Sequence, residues 1–281
     1  MVTFIHWLRD HKPLNCFILL AYFLAVVLPH KRFGTFLNKT VVGGLGIDNN
    51  TLEGRQTYNA IAISVAAFLL ILLLYFFIKN TKDKIDKRTI WFYMALNIVL
   101  AILVIELLFV VNIEFIHYPQ YALFAILSFP LIQNYHQTLI WSTLAGVMDE
   151  AYQYFYLSPK DTWYYDFNDI ITNLIGVIFG LLILRSLGTK EHKWPTFYRS
   201  PAFIGVLTLL IIVIVLDATT FFSIYPNDDA QFQLLRKWPD GFWSRARPKI
   251  IYHVTLPLEG SLITIGLWVV YSKIGPRVTG H

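Results

Sequence analysis

Long apolar segments separated by short polar ones dominate the hydropathy pattern of the chain. A transmembrane helix needs about 20 mostly apolar residues, and eight segments have or approach that length. The first and the fourth are short, so seven spans are an alternative. The pattern predicts an all-α fold, a polytopic transmembrane helical bundle of about eight spans. The segments cover about residues 14–28, 58–78, 90–111, 118–131, 139–155, 169–184, 201–222 and 254–271.

Two basic loops predict how this bundle is oriented. Residues 79–88 read KNTKDKIDKR and carry five lysines and arginines. A second basic stretch follows the sixth segment and includes Arg185 and Lys190. Short loops rich in lysine and arginine stay in the cytoplasm. With eight spans, this rule predicts that both termini are cytoplasmic and that residues 29–57 form an irregular outer loop.

The overall composition supports the membrane interpretation. Hydrophobic residues make up 56% of the 281 residues, charged residues only 15%, and mean hydropathy is +0.53. A soluble domain carries about 25% charged residues. The net charge of +5 fits cytoplasmic basic loops and anionic lipid headgroups, and no compact basic domain indicates nucleic-acid binding. The single cysteine, Cys16, excludes intrachain disulfides and cysteine-rich metal sites.

Polar and ionisable side chains interrupt three consecutive apolar segments at what this topology makes their outer ends. A charge at the centre of a bilayer costs roughly 2.5–3.5 kcal/mol on insertion scales, so such residues usually face a bundle interior or a wet cavity. Their accumulation within residues 114–180 predicts one polar site facing the outside of the membrane. The side chains concerned are His117, Tyr121, Asp149, Glu150, Gln153, Asp166, Asp169 and Asn173.

Helical spacing places several of these residues on one face of the sixth span. Asp166, Asp169, Asn173, Gly176 and Gly180 follow one another at steps of three and four. The two glycines form a GxxxG pattern, which lets another helix approach closely. The sequence therefore predicts small residues deep in the bundle and carboxylates at its outer mouth.

A simpler interpretation of the start of this span is a helix cap. Either Asp166 or Asn168 could accept hydrogen bonds from the first backbone amides. A cap does not account for Asp169 and Asn173 together.

Two further acids are flanked by apolar sequence on both sides. Glu106 lies near the outer end of the third span, and Glu259 lies a turn or two into the eighth. Because an isolated charge in lipid is costly, we expect both to face the same outer cavity.

The order of these polar motifs resembles the VanZ-like family. It reads H-x3-Y-A-x-x-A, D-E-x-x-Q-x-F, P-[KR] and D-x3-N-x-x-G-x3-G, over about residues 114–185. Members often have arginine after the proline, whereas this chain has Lys160, which keeps the charge but loses bidentate recognition. The matching residues are His117, Tyr121, Asp149, Glu150, Gln153, Phe155, Pro159, Asp169, Asn173, Gly176 and Gly180.

The resemblance implies a bacterial envelope protein, embedded in the plasma membrane, that acts at the outer face and is linked to resistance to the glycopeptide teicoplanin. It divides the chain into an N-terminal two-span region (1–89), a VanZ-like core (90–187) and a C-terminal two-span region (188–281). The last region contains an outer segment, residues 223–253, that is rich in aromatic and basic residues. The resemblance supplies no settled reaction.

The first functional hypothesis is a hydrolase or transferase acting on a lipid-linked or cell-wall substrate. His117, Asp149, Glu150 and Asp169 would act as general acids or bases. Carboxylates with one histidine could also hold Mg²⁺, Mn²⁺ or Ca²⁺, which leaves a divalent cation open. The surrounding substrate-binding residues would be Tyr121, Gln153, Lys160, Asp166, Asn173, Glu106 and Glu259.

Three alternatives remain open from the sequence. The cavity could bind an amphiphile without a reaction, such as a lipid precursor or the lipid tail of an antibiotic. Glu106 and Glu259 could form a proton relay in a transporter or lipid flippase. The motifs could also serve only to pack helices. Convergence in space favours a site, and divergence favours packing; the residues that decide this are His117, Asp149, Glu150 and Asp169.

Overall fold

Helices make up most of the fold. The computed structural model describes residues 2–36, 39–40, 43–47, 51–82, 84, 86–109, 112–157, 163–192, 199–247 and 250–275. Short 3-10 segments at Asn112–Ile116 and Tyr271–Lys273 and a π-helical turn at Gln153–Leu157 adjoin the α-helices. The α-helices of the described residues are α1 Val2–Asp10, α2 Lys12–Val27, α3 His30–Phe36, α4 Leu52–Thr81, α5 Lys87–Leu107, α6 His117–Ile132, α7 Tyr135–Tyr152, α8 Phe167–Ser186, α9 Pro201–Ala218 and α10 Pro257–Val270.

Five of these helices are long and apolar enough to cross a membrane. They are α4, α5, α6 with the preceding 3-10 turn, α8 and α9. A sixth span results if α1 and α2, which meet at a bend of 110°, count as one broken span. The prediction of a mostly helical protein with several such helices is confirmed. The further spans predicted over α7 and over the 14-residue α10 remain predictions, as do the sides of the termini.

Helix α8 is the centre of the bundle. It packs against α5, α6, α7 and α10, and 83% of its apolar window is buried. Its most extensive contact is with α6. A Cβ atom added to Gly176 would lie 2.8 Å from the backbone oxygen of Tyr118, and one added to Gly180 would clash with that of Ala122. The close helix approach predicted from the GxxxG pattern is confirmed.

The same contacts show that α6 and α8 run parallel. Gly176 meets Tyr118 and Gly180 meets Ala122, so the partner position advances by four residues on both helices. Helix α7 follows α6 in the chain and packs against both helices. It runs antiparallel to them, because its last turn lies together with the first turns of α6 and α8. We call this end of the bundle the polar end.

The opposite end, which we call the basic end, gathers both basic loops. Arg185 pairs with Asp86 there. The Nζ atom of Lys84 lies against Gly188, where a Cβ atom would clash with it. The loops before α5 and after α8 therefore share one end of the molecule, as the sequence predicts.

The outer segment adds a small amount of β-structure above the polar end. Strands β1 (Phe222–Ser223) and β2 (Phe232–Gln233) pair in parallel, and β3 (Trp243–Arg247) pairs antiparallel with β4 (Ile250–His253). These strands supplement a fold that is otherwise helical.

The region predicted as an irregular loop, residues 29–57, is more regular than expected. Helix α3 begins at His30, and α4 begins at Leu52, ahead of the apolar segment that starts at residue 58. The Thr51 hydroxyl caps α4 by accepting a hydrogen bond from the Gly54 amide at 3.0 Å. Polar helical turns carry no apolar periodicity, which explains why the hydropathy pattern missed them.

Candidate functional site

Three core helices bring their polar residues together at the polar end. His117 is the first residue of α6, Asp149 and Glu150 lie in the last turn of α7, and Asp169 and Asn173 lie in the first two turns of α8. The exposed fractions of His117, Asp149 and Glu150 are 4%, 0% and 3%. These side chains therefore form one buried group, which we call the polar cluster. Convergence favours a site over a purely structural packing motif.

His117 is held between two residues of α8. Its Nδ1 atom donates a hydrogen bond to the Asn173 amide oxygen at 2.8 Å. Its Nε2 atom lies 3.9 Å from the Asp169 carboxylate. Because an amide oxygen only accepts, this bond fixes the hydrogen on Nδ1 and leaves Nε2 facing Asp169. The pair is placed to exchange a proton with a bound group.

The two acids of α7 are joined by a hydrogen-bond network. The Tyr121 hydroxyl donates to Asp149 at 2.9 Å. The Gln153 amide donates to Asp149 and to Glu150, both at 3.1 Å. Gln153 starts the π-helical turn, a feature often found at functional sites. The turn directly follows the two acids, so the side-chain amide of Gln153 reaches both carboxyl groups.

Asp166 and Asp169 form the more accessible mouth of the cluster. Asp166 caps α8, since its carboxylate accepts hydrogen bonds from the Asn168 and Asp169 amides at 3.0 and 3.3 Å. Burial, together with the nearby Asp169 carboxylate, raises the pKa of Asp166 to about 7, against the pull of these two amides. Of the two capping residues considered from the sequence, the cap is Asp166. Asn168 instead connects three segments.

The Asn168 side chain ties the start of α8 to its surroundings. It donates to the Leu108 carbonyl at 3.1 Å and to the His253 carbonyl at 2.8 Å, and it accepts from the Thr255 amide at 3.1 Å. The mouth of the cluster is thereby fixed to α5 and to β4.

The outer segment is joined to the chain between α7 and α8. The Tyr165 amide donates to the Leu234 carbonyl at 2.7 Å, and the Arg236 amide donates to the Trp163 carbonyl at 2.8 Å. The Arg236 guanidinium lies 4.2 Å from the centre of the Tyr154 ring, a cation–π contact. The aromatic and basic segment therefore sits beside the cluster at the polar end.

One residue of this neighbourhood was missed by sequence reasoning. The ring of His30 lies 6.0 Å from that of His117. Burial lowers the pKa of His30, His117 lowers it further, and Asp149 opposes both effects. The signal that could have found His30 is its place directly after the first apolar segment, at the predicted outer end.

The structure does not bring Glu106 and Glu259 into the cluster. The Glu106 side chain is exposed on α5, because it lies about 200° around the helix from the buried Val104. Glu259 instead binds the His253 ring, with Nε2 to carboxylate distances of 2.8 and 2.9 Å, and accepts from the Leu256 amide at 3.3 Å. The expectation that both acids line one cavity is wrong. Lys160 lies outside the described residues.

The chemistry of the cluster follows from its excess of carboxyl groups. Close, buried like charges repel, so such a group favours protons, or a ligand that supplies hydroxyl or ammonium hydrogens. Among the residues that the structure describes, no group of three or more His, Cys, Asp or Glu side chains is placed to hold a metal ion.

The comparisons with known proteins found no match. The sequence matches no protein-family model and no curated protein, and the fold matches no solved structure.

Proposed function

We propose that this chain is a VanZ-like, multi-pass protein of the bacterial plasma membrane that binds an amphiphilic envelope compound at an outward-facing polar site. The ligand is a lipid-linked cell-wall precursor or a lipoglycopeptide such as teicoplanin. The observation that carries the proposal is the convergence of His117, Asp149, Glu150 and Asp169 in one buried, hydrogen-bonded cluster.

The orientation rests on the two ends of the bundle. The loops with Lys84 and Arg185 share the basic end, and short basic loops stay in the cytoplasm. The polar cluster then faces the outside. Eight helices crossing in alternation, α2 and α4–α10, would place both termini in the cytoplasm.

The nature of the ligand rests on the hydrogen-bonding character of the cluster. Its carboxyl groups accept hydrogen bonds from Tyr121 and Gln153, and their remaining lone pairs suit hydroxyl or amino groups. Sugars and peptides of cell-wall precursors carry such groups. The lipid part of the same compound would stay in the bilayer beside the bundle.

A reaction at this site is the second candidate function. The His117 Nε2 atom faces Asp169 at 3.9 Å, and a histidine so placed can act as a general acid or base. A hydrolase or transferase would use this pair on the bound envelope compound. The proton relay between Glu106 and Glu259 has less support, because Glu106 is exposed and Glu259 pairs with His253.

The test is a binding and turnover assay on the full chain in lipid nanodiscs. The probes are a polyprenyl-linked peptidoglycan precursor and teicoplanin, each with and without Mg²⁺. We expect Asp149→Asn to weaken binding at least tenfold, while Glu106→Gln, an exposed acid of the same bundle, binds as the wild type does. Product formed by the wild type and lost in His117→Ala would establish an enzyme. If folded Asp149→Asn binds as tightly as the wild type, the cluster only packs helices and the proposal is wrong.

The orientation has its own test in intact cells. With Cys16→Ala as background, single cysteines replace Lys237 in the outer segment and Lys84 at the basic end. A membrane-impermeant thiol reagent should label position 237 and not position 84. Labelling at position 84 alone would reverse the orientation.

A further inference from the structure

The segment after α2 carries an open cavity with two basic residues, and it starts close to the polar cluster. Helix α3 starts with His30, whose ring lies 6.0 Å from that of His117. A shallow, open cavity of about 360 Å³ begins two residues further on. It is lined by Arg32, Thr35, Phe36, Lys39 and Thr40.

The lining of this cavity has the opposite charge character to the cluster. Arg32 and Lys39 supply two cations, and Thr35 and Thr40 supply hydroxyl groups. A guanidinium offers a planar pair of donors and an ammonium offers a compact charge, and both bind phosphate oxygens. The hydrocarbon stems of the two basic residues and the Phe36 ring provide apolar surface below the charges.

The cavity and the polar cluster suit different chemical groups. The carboxyl groups of the cluster repel an anion, whereas the cavity attracts one. The cavity follows His30 along the chain, and the His30 ring lies 6.0 Å from that of His117, so one extended amphiphile can contact both.

We propose that the cavity lined by Arg32 and Lys39 binds the phosphate of a phosphate-bearing amphiphile, whose hydroxyl- or amino-bearing part reaches the polar cluster past His30. This inference rests on the proposed function and names its substrate class. The cavity holds the anion, and the cluster holds the hydrogen-bond donors of the same molecule.

The test measures binding of three defined probes to the full chain in an uncharged detergent. The probes are dihexanoyl phosphatidic acid, the uncharged dihexanoylglycerol and inorganic phosphate. Phosphatidic acid should bind at least tenfold more tightly than either of the other two. Arg32→Gln and Lys39→Gln should each weaken its binding at least tenfold, the loss of one charge-assisted hydrogen bond.

The matched control is Arg88→Gln, an exposed arginine next to the basic end, which should bind phosphatidic acid as the wild type does. Thermal unfolding of each variant verifies that it is folded. Equal binding of dihexanoylglycerol, or equal binding by the Arg32 and Lys39 variants, overturns the phosphate site. Inorganic phosphate that binds as tightly as phosphatidic acid overturns the amphiphile as its ligand.

The same experiment separates this inference from the proposed function. Binding of the peptidoglycan precursor that falls in Asp149→Asn and is unchanged in Arg32→Gln overturns the phosphate site and leaves the proposed function in place. Precursor binding that responds to neither variant overturns both.

Discussion

Helices α8 and α9 are almost equally long and both are apolar, yet they occupy opposite environments. In α8, 83% of the apolar window is buried, and in α9 only 6%. Helix α8 carries Asn173, Gly176 and Gly180 on its packed face, whereas the sequence from Leu207 to Leu216 is almost entirely aliphatic. Lipid tails are as apolar as leucine, so hydrophobicity does not decide which helix is buried. Small and polar residues distinguish the buried helix from the exposed one.

The largest expected effect is a cavity in the core helix. Leu181 of α8 is fully buried, and Leu210 of α9 is 53% exposed. Leu181→Ala should lower the free energy of unfolding by about 2–5 kcal/mol, because the surrounding helices collapse only partly into the space. Leu210→Ala should change it by less than about 0.5 kcal/mol. Thermal or denaturant unfolding measures both changes. Equal losses of unfolding free energy in the two variants would contradict the difference in burial between α8 and α9.

The second effect contrasts two helical glycines. A Cβ at Gly176 would press against the Tyr118 carbonyl, while one at Gly266 of α10 meets nothing within 4 Å among the described residues. Gly176→Ala should destabilise the protein by about 1–3 kcal/mol through overpacking. Gly266→Ala should stabilise it by about 0.5–1 kcal/mol, since alanine restricts the unfolded chain. Unfolding in detergent gives the sign of the stability change in each variant. Stabilisation by Gly176→Ala would contradict the close α6–α8 contact.

A smaller effect is expected from one hydrogen bond of the cluster. Tyr121→Phe removes the donor to the buried Asp149 and should cost about 0.5–1.5 kcal/mol, because Gln153 still donates to the same carboxyl group. Tyr75→Phe, on the exposed face of α4, is the matched control and should be nearly neutral. A neutral Tyr121→Phe would show that the network contributes nothing to the fold.

The smallest effect concerns pH. The pKa of Asp166, about 7, exceeds the ordinary aspartate value of about 4, so the folded state binds this proton more tightly than the unfolded chain does. The resulting stabilisation is complete below about pH 4 and is lost as the pH approaches 7. The melting temperature should therefore be higher at pH 5 than at pH 8.

Asp166→Asn keeps a capping oxygen and should narrow this difference in melting temperature. The control is Asp217→Asn, an exposed acid at the end of α9, which should leave the difference as it is. An unchanged difference in Asp166→Asn would assign the pH dependence to other residues.

The sequence predicted much of the helical arrangement because spans and basic loops leave clear patterns. It also predicted that His117, Asp149 and Asp169 meet, since their positions at helix ends follow from the alternation of spans. It misplaced Glu106, because α5 is apolar around its whole circumference and no periodicity shows which face is buried. His30 was missed because a short polar helix has no hydropathy signal. The pairing of Glu259 with His253 depends on a hairpin whose fold the aromatic composition does not reveal.

The parallel pairing of α6 and α8 imposes an order on biogenesis. Helix α7 is synthesised between them, and its buried face carries Gln137, Thr138, Ser142 and Thr143 as well as both cluster acids. Such a helix partitions poorly into lipid alone, so it depends on neighbours that shield these groups. Its second large neighbour, α8, leaves the ribosome only after α7 is complete. The polar cluster is therefore completed by the last of its three helices, and a chain stopped before α8 would lack Asp169 and Asn173, which complete it.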